Sequence, residues 1–275
     1  MDYREAAFGG GATVTGLRHF CLDDMLGCGQ AFRWQRLGRG HWRGIVSGLC
    51  REAVQTGDKL HMPGVSRQEF FRVWLPYFDL ERDYGAVKEI LSQNENMRRA
   101  VAFTPGMRVL RQEPWEALCS FILSQNNNIA RIRGLVERLS ENFGEQIPGG
   151  FAFPSPELLT ALLPGDLGPV RCGFREKYIL DAARRVSSRE IDLAALASLP
   201  TAQLDAALRT IHGVGPKVAA CALLYGFGRV ECVPVDVWIG RANREFFPGG
   251  FPIEFEPVAG LAQQYLFHYM RNREK

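Results

Sequence analysis

Two residues nineteen positions apart, Lys217 and Asp236, carry the most reactive possibilities in this chain. A lysine amine can attack an electrophilic carbon and hold it as a Schiff base, provided it starts neutral. A carboxylate can stabilise positive charge as it develops in such a reaction. Lys217 ends the run Gly213-Val-Gly-Pro-Lys217, in the expected first turn of a helix opened by Pro216. The helix dipole disfavours a cation there, which suits a nucleophilic amine better than a solvated surface charge. Asp236, in Val233-Pro-Val-Asp236-Val-Trp238, stands where a helix N-cap is expected. Capping and catalysis are compatible in one carboxylate.

The elements that must position the lysine lie in Leu208-Arg-Thr-Ile-His-Gly-Val-Gly-Pro-Lys-Val-Ala-Ala-Cys221, which reads as two helices around a tight turn. Gly213 and Gly215, on either side of Val214, allow backbone geometry in which several N–H groups point at one spot. With the positive end of the following helix, that spot suits a phosphate. A helix–hairpin–helix of this kind grips a DNA backbone without reading its sequence. Gly-Val-Gly alone would fit an ordinary helical corner equally well, and Lys217 shifts the reading towards function.

Composition sets the frame. The 275 residues correspond to about two domains, and 46% apolar with 23% charged residues is the balance of a globular chain. No apolar run approaches the ~18–20 residues of a membrane span, and the start of the chain, with Asp2 and Glu5, does not read as a secretory signal. Seven widely spaced cysteines without a C-x-x-C pair argue against a disulfide framework, a zinc site or an iron–sulfur cluster. Free thiols in a reducing cytosol are expected, with neither metal nor cofactor. A net charge of +3 does not itself point to nucleic acid, but a grip made of backbone N–H groups needs little charge.

Short strands are expected over residues 17–62, with turns at Gly38-Arg39-Gly40 and Thr56-Gly57-Asp58. From about residue 66 the pattern becomes helical. Pro114 opens a helix over Trp115–Gln125. Ile129, Ile132, Leu135, Val136, Leu139 and Phe143 form one inward stripe, ended by Gly144. Further helices are expected over 174–187, 201–210, 216–226, 237–246 and 257–272, with a loop over 148–156. The fold class is α+β: an N-terminal antiparallel β-sheet domain (1–104, with its following helices) and an all-helical domain (105–275), the boundary lying near 95–110.

The G-V-G-P-K-V-A…V-P-V-D pattern resembles the helix–hairpin–helix–Gly/Pro–Asp superfamily of DNA glycosylases, and the lysine resembles its bifunctional members. Three further segments narrow the resemblance to 8-oxoguanine DNA glycosylase/AP lyase. They are Gly29-Gln-Ala-Phe-Arg-Trp34, Phe121-Ile-Leu-Ser-Gln-Asn-Asn-Asn-Ile-Ala-Arg131 and Ala262-Gln-Gln-Tyr-Leu-Phe267. The matches run in order through nearly the whole chain.

The resemblance implies base excision repair of duplex DNA in which 8-oxoguanine faces cytosine, on a flipped nucleotide. Lys217 would attack C1′ and form the Schiff base that undergoes β-elimination, with Asp236 stabilising the sugar cation. The Gly29 carbonyl would accept the N7 proton that distinguishes 8-oxoguanine from guanine. Gln263 would read the Watson–Crick edge, and Phe267 and Cys221 would sandwich the base, although core packing explains those two equally well. Asn126 would fill the gap left by flipping, with Asn127 beside it. Arg131 and Arg175 would bond the orphaned cytosine, and Phe174 would wedge beside it.

Two positions depart from the eukaryotic pattern. Trp238 replaces a histidine and Met270 replaces the carboxylate that pairs with it, an apolar substitution of a polar pair that bears on the opposite-base preference and a phosphate contact. The alternatives are the same fold acting on another damaged base, and a non-catalytic helix–hairpin–helix DNA-binding protein, which would need neither Lys217 nor Asp236. A metabolic Schiff-base enzyme lacks a recognisable cofactor site. A monomer is expected, in a bacterial-type cytoplasm and nucleoid-associated through DNA.

Overall fold

The computed structural model describes residues 2–273. Six strands form one antiparallel sheet: β1 (Glu5–Phe8), β2 (Gly11–Thr15), β3 (Trp34–Gly38), β4 (His41–Val46), β5 (Leu49–Thr56) and β6 (Lys59–Pro63). Their order is β1-β2-β6-β5-β4-β3. The connection from β4 to β5 is two residues, Ser47 and Gly48, both at positive φ (50° and 74°), as a type I′ hairpin requires. Alternation sets the faces: Trp42, Gly44 and Val46 of β4 and Leu60 and Met62 of β6 point inward. Gly44 pairs with Trp34, and a Cβ there would lie 2.3 Å from the indole.

The expected strands over 17–62 are present, with two additions. A short helix, Leu22–Gly27, interrupts them, burying Leu22, Met25 and Leu26. The pair β1–β2 precedes them, in a Gly- and Thr-rich stretch with little alternation to read.

The chain forms two compact units. One takes the chain up to Gly44, Arg51–Arg111 and everything from Val230; the other takes Ile45–Cys50 and Gln112–Arg229. This differs from the expected division into 1–104 and 105–275, because the C-terminal segment returns to the unit of the sheet. There Gly260 N–H donates to Val230 O (2.7 Å), and Tyr265 OH donates to Met107 O (2.8 Å). Helix Ala259–Asn272 packs on Glu95–Phe103 and on Val237–Phe246. The same unit buries an Arg108–Asp2 ion pair (2.6 Å), both side chains fully enclosed. Arg108 also donates to the carbonyls of His19, Asp79 and Arg18, so most of its donors are satisfied.

The second unit is mainly helical. Glu113 caps Pro114–Leu123 through the N–H groups of Trp115 and Glu116, with Pro114 at the first position as expected. Asn128 caps Ile129–Phe143, whose Ile132, Leu135, Val136 and Leu139 are buried as the stripe requires. Gly144 ends that helix without left-handed geometry; a Cβ there would collide with Ala152 O. The expected loop over 148–156 contains half of a small hairpin, Gln146–Ile147 with Gly150–Phe151, so the unit is not purely helical. Helices Glu176–Ser187, Thr201–Leu208 and Pro216–Cys221 follow, the last continuing as a π turn over Ala222–Gly226.

Candidate active site

Thr201–Leu208 and Pro216–Cys221 flank the glycine turn, so the helix–hairpin–helix is formed. Val214 is buried and its N–H donates to Ile211 O (3.0 Å), while His212 N–H donates to Asp181 Oδ2 (2.9 Å). Gly213 takes φ +81°, and a Cβ there would sit 2.3 Å from the Tyr178 ring. Gly215 is the N-cap of the lysine helix, extended at φ −88° and ψ −179°, with no side-chain cap. A Cβ on Gly215 would meet nothing within 4 Å. The first-turn N–H groups, which have no partner within the helix, therefore lie beside an unobstructed residue.

Lys217, in that first turn, is half-buried and its Nζ donates to Ser124 Oγ (3.1 Å). Ser124 Oγ in turn donates to Phe121 O (2.7 Å). The ammonium also lies 5.5 Å from the centre of the Phe121 ring, which stacks on Tyr225 (5.0 Å). One wall is aromatic and one hydroxyl holds the amine, so Lys217 is placed rather than freely solvated. Cys221 follows one helical turn later and is buried. Ser124 and Phe121 belong to the Phe121–Arg131 motif, but nothing in their residue types marks them as partners of the lysine. A hollow of about 490 Å³ in this unit, lined by Leu163, Phe174, Lys177 and Arg184 among others, does not include Lys217.

Asp236 belongs to the other unit. It caps Val237–Phe246, with Oδ1 accepting from the N–H groups of Trp238 (3.0 Å) and Ile239 (2.9 Å). Its capping role is thus present, and it fixes the carboxylate's orientation. Gln263 and Phe267 lie one turn apart on Ala259–Asn272 in the same unit. Gln263 is 4% exposed, and its Oε1 is buried without a hydrogen-bond partner. A buried unpaired acceptor costs about 1–3 kcal/mol, which a ligand donor would recover. Phe267 is half-buried. Gly29 has φ +97°. Met270 is buried, whereas Trp238 is half-buried beneath the Arg241 guanidinium (5.4 Å).

The expected DNA-facing residues are in the second unit. Asn126 is exposed with φ +50°, a left-handed position that Asn tolerates. Asn127 Nδ2 donates to Leu123 O (2.8 Å), and its Oδ1 is buried without a partner. Arg131 is exposed in the first turn of its helix. Phe174 is half exposed (50%).

Arg175, expected at the orphaned cytosine, is turned inward. It is 4% exposed, its Nε donates to Gln125 O (2.8 Å) and its Nη1 to Cys172 O (3.1 Å), while Nη2 also bonds Gln125 O. The guanidinium stacks on Phe174 (4.3 Å). Burial first, then the nearby charge of Arg131, lowers its pKa. Arg175 therefore braces the turn before Asn126 and backs the Phe174 ring.

Among the described residues, no group of three His, Cys, Asp or Glu side chains could hold a metal ion, and no helix is long and apolar enough to cross a membrane.

Residues 14–118 match the family described as 8-oxoguanine DNA glycosylase, N-terminal domain. The N-glycosylase/DNA lyase of Saccharomyces cerevisiae is 31% identical over 256 residues, covering 82% of this chain and 68% of that protein. The chain belongs to the 8-oxoguanine DNA glycosylase/lyase family. Two solved structures extend the likeness over the full length of both chains. MBOgg1, in complex with a low-affinity DNA ligand, is 39% identical with a TM-score of 0.93. The 8-oxoguanine glycosylase/lyase of Clostridium acetobutylicum, bound to double-stranded DNA with cytosine opposite 8-oxoG, is 33% identical with a TM-score of 0.94. The family's sheet and its helix–hairpin–helix are thus both accounted for here.

Proposed function

We propose that this protein excises 8-oxoguanine from duplex DNA, preferentially opposite cytosine, and nicks the resulting strand through a lysine Schiff base. It is a bifunctional DNA glycosylase/AP lyase of base excision repair. The observation that carries the assignment of its chemistry is Lys217 itself: a half-buried amine at the mouth of the hairpin, held by Ser124.

The Nζ lone pair of Lys217 attacks C1′ as the C1′–N9 bond breaks; the base leaves with the electron pair of that bond and takes up a proton, balanced by the one that the newly bonded lysine nitrogen sheds. The Asp236 carboxylate stabilises the positive charge that develops on the sugar. Ring opening converts the C1′ adduct into a Schiff base. Loss of a C2′ proton then expels the 3′ phosphate, and water releases Lys217 from the remaining sugar. No step needs a cofactor.

Recognition is assigned residue by residue. The Gly29 carbonyl accepts the N7 proton of the oxidised base, which guanine lacks. Gln263 Oε1, the buried unpaired acceptor, receives a donor from the Watson–Crick edge. Phe267 and Cys221 pack against the faces of the base. Gly213, Val214 and Gly215 supply backbone contacts to phosphate. Asn126 and Asn127 occupy the space left by flipping, Arg131 bonds the orphaned cytosine, and Phe174 wedges beside it. We place the protein with its substrate, in the cytoplasm and on the nucleoid, acting as a monomer.

Borohydride reduction of the Schiff base tests the central assignment. The wild-type protein should become covalently trapped on a duplex carrying 8-oxoguanine opposite cytosine, and Lys217→Gln should not. Undiminished trapping of that variant would remove Lys217 as nucleophile.

A further inference from the structure

We infer that Gln264 is a positioning residue for lesion recognition, acting through Cys28 to hold the peptide that carries the Gly29 carbonyl. This rests on the reading of Gly29 as the acceptor for the N7 proton.

Discrimination between 8-oxoguanine and guanine at N7 is a matter of hydrogen-bond polarity. A carbonyl meets a proton in one case and a lone pair in the other. A peptide following a glycine is easily rotated, because glycine tolerates most backbone angles. If the peptide between Gly29 and Gln30 turned over, it would present the Gln30 N–H in place of the carbonyl and would favour undamaged guanine. Recognition therefore needs that peptide to be held from both sides.

Such a hold is present. On the C-terminal side, Gln30 is 1% exposed. Its Nε2 donates to Arg108 O (2.8 Å) and Met25 O (3.1 Å), and its Oε1 accepts from Leu110 N–H (2.9 Å). On the N-terminal side, Cys28 is fully buried, its thiol donating to Met25 O (3.0 Å). Gln264 Nε2 donates to the same sulfur (3.2 Å), and Arg271 Nη1 reaches Cys28 O (3.4 Å). Burial raises the Cys28 thiol to about 11, so it keeps its proton at neutral pH and can donate to Met25 while accepting from Gln264.

The geometry of helix Ala259–Asn272 gives this contact its consequence. Gln264 lies three residues before Phe267 and Arg271 four after it, so all three share a stripe. Gln263, the reader of the other base edge, precedes Gln264 directly. One rigid helix thus presents Gln263 and Phe267 and also holds the residue before Gly29. Gln264 is 1% exposed among Leu261, Ala262, Tyr265 and Leu266, all buried. Packing alone would be served there by an apolar side chain, whereas the amide is aimed at the sulfur.

The test uses the full chain with three readouts: single-turnover excision of 8-oxoguanine opposite cytosine, binding preference for that duplex over an undamaged one, and nicking at a preformed abasic site. Nicking requires Lys217 but no base recognition. Gln264→Leu should lower both excision and binding preference about tenfold, the equivalent of one buried hydrogen bond, and leave nicking within about twofold. Cys28→Ala should behave alike, and Cys28→Ser should restore the preference, since a hydroxyl can make the same two bonds. Gln264→Met, closer to Gln in shape, replaces the leucine variant if the latter does not fold. An unchanged preference in Gln264→Leu, or a parallel fall in nicking, would overturn the inference while leaving the functional reading intact. Failure of the wild-type protein to excise 8-oxoguanine would overturn the functional reading, and this inference with it.

Discussion

The ring of Tyr178 lies against the backbone of Gly213, so close that a Cβ on the glycine would be 2.3 to 2.5 Å from three ring carbons. The same ring meets Phe174 edge-on at 5.9 Å and His212 at 4.8 Å. One aromatic side chain therefore joins the exposed Phe174 to the glycine turn of the hairpin. Sequence reading did not single it out, because a tyrosine in an amphipathic helix is unremarkable until its neighbours are known.

Gly213→Ala should accordingly loosen the grip on DNA generally. The added methyl forces the turn away from Tyr178 and is also strained at φ +81°. A stability loss of about 1–3 kcal/mol is expected, with affinity for damaged and undamaged duplexes falling together. Thermal melting and binding to both duplexes check this; a loss confined to damaged DNA would contradict it.

Arg131 and Arg175 should separate by selectivity. Arg131 is exposed, so Arg131→Ala should relax the preference for cytosine opposite the lesion by roughly tenfold or more, the scale of a specific base contact. Arg175 is bonded to the carbonyls of Gln125 and Cys172. Arg175→Ala should therefore slow excision opposite every base to a similar extent and lower the melting temperature. Excision rates against all four opposing bases distinguish the two patterns.

A pH effect on stability is expected from Lys88. Burial, helped by the charge of Arg108, lowers its pKa to about 8, below the ~10.4 of an exposed lysine. The folded state then binds fewer protons than the unfolded state between those values, so this group's penalty is full below about pH 8 and fades as the pH rises towards 10.4. Lys88→Met should compare best with wild type at pH 7 and lose that relative advantage by about pH 10. A melting-temperature difference that stays flat over this range would disprove the shift.

The departures at Trp238 and Met270 turn out unlike each other. Met270 is buried, whereas Trp238 carries a stacked arginine on its ring, so only one of the two positions is a simple apolar replacement. Arg241 reaches Trp238 through the three-residue spacing of their helix.

Local chemistry was legible in the chain itself. Pro216 and Asp236 begin helices where their types require it, Gly213 takes the positive φ for which glycine is suited, and the stripe from Ile132 to Leu139 is buried. These follow from short-range sterics and hydrogen bonding, which a few neighbouring residues settle. Tertiary structure alone decided that the segment from Val230 rejoins the unit of the sheet, that Ser124 holds Lys217, and that Arg175 turns inward to the Gln125 carbonyl. It also set Gln264 against Cys28, 236 residues away in sequence. Such contacts depend on which distant surfaces exclude water together, and no local pattern of residues encodes that choice.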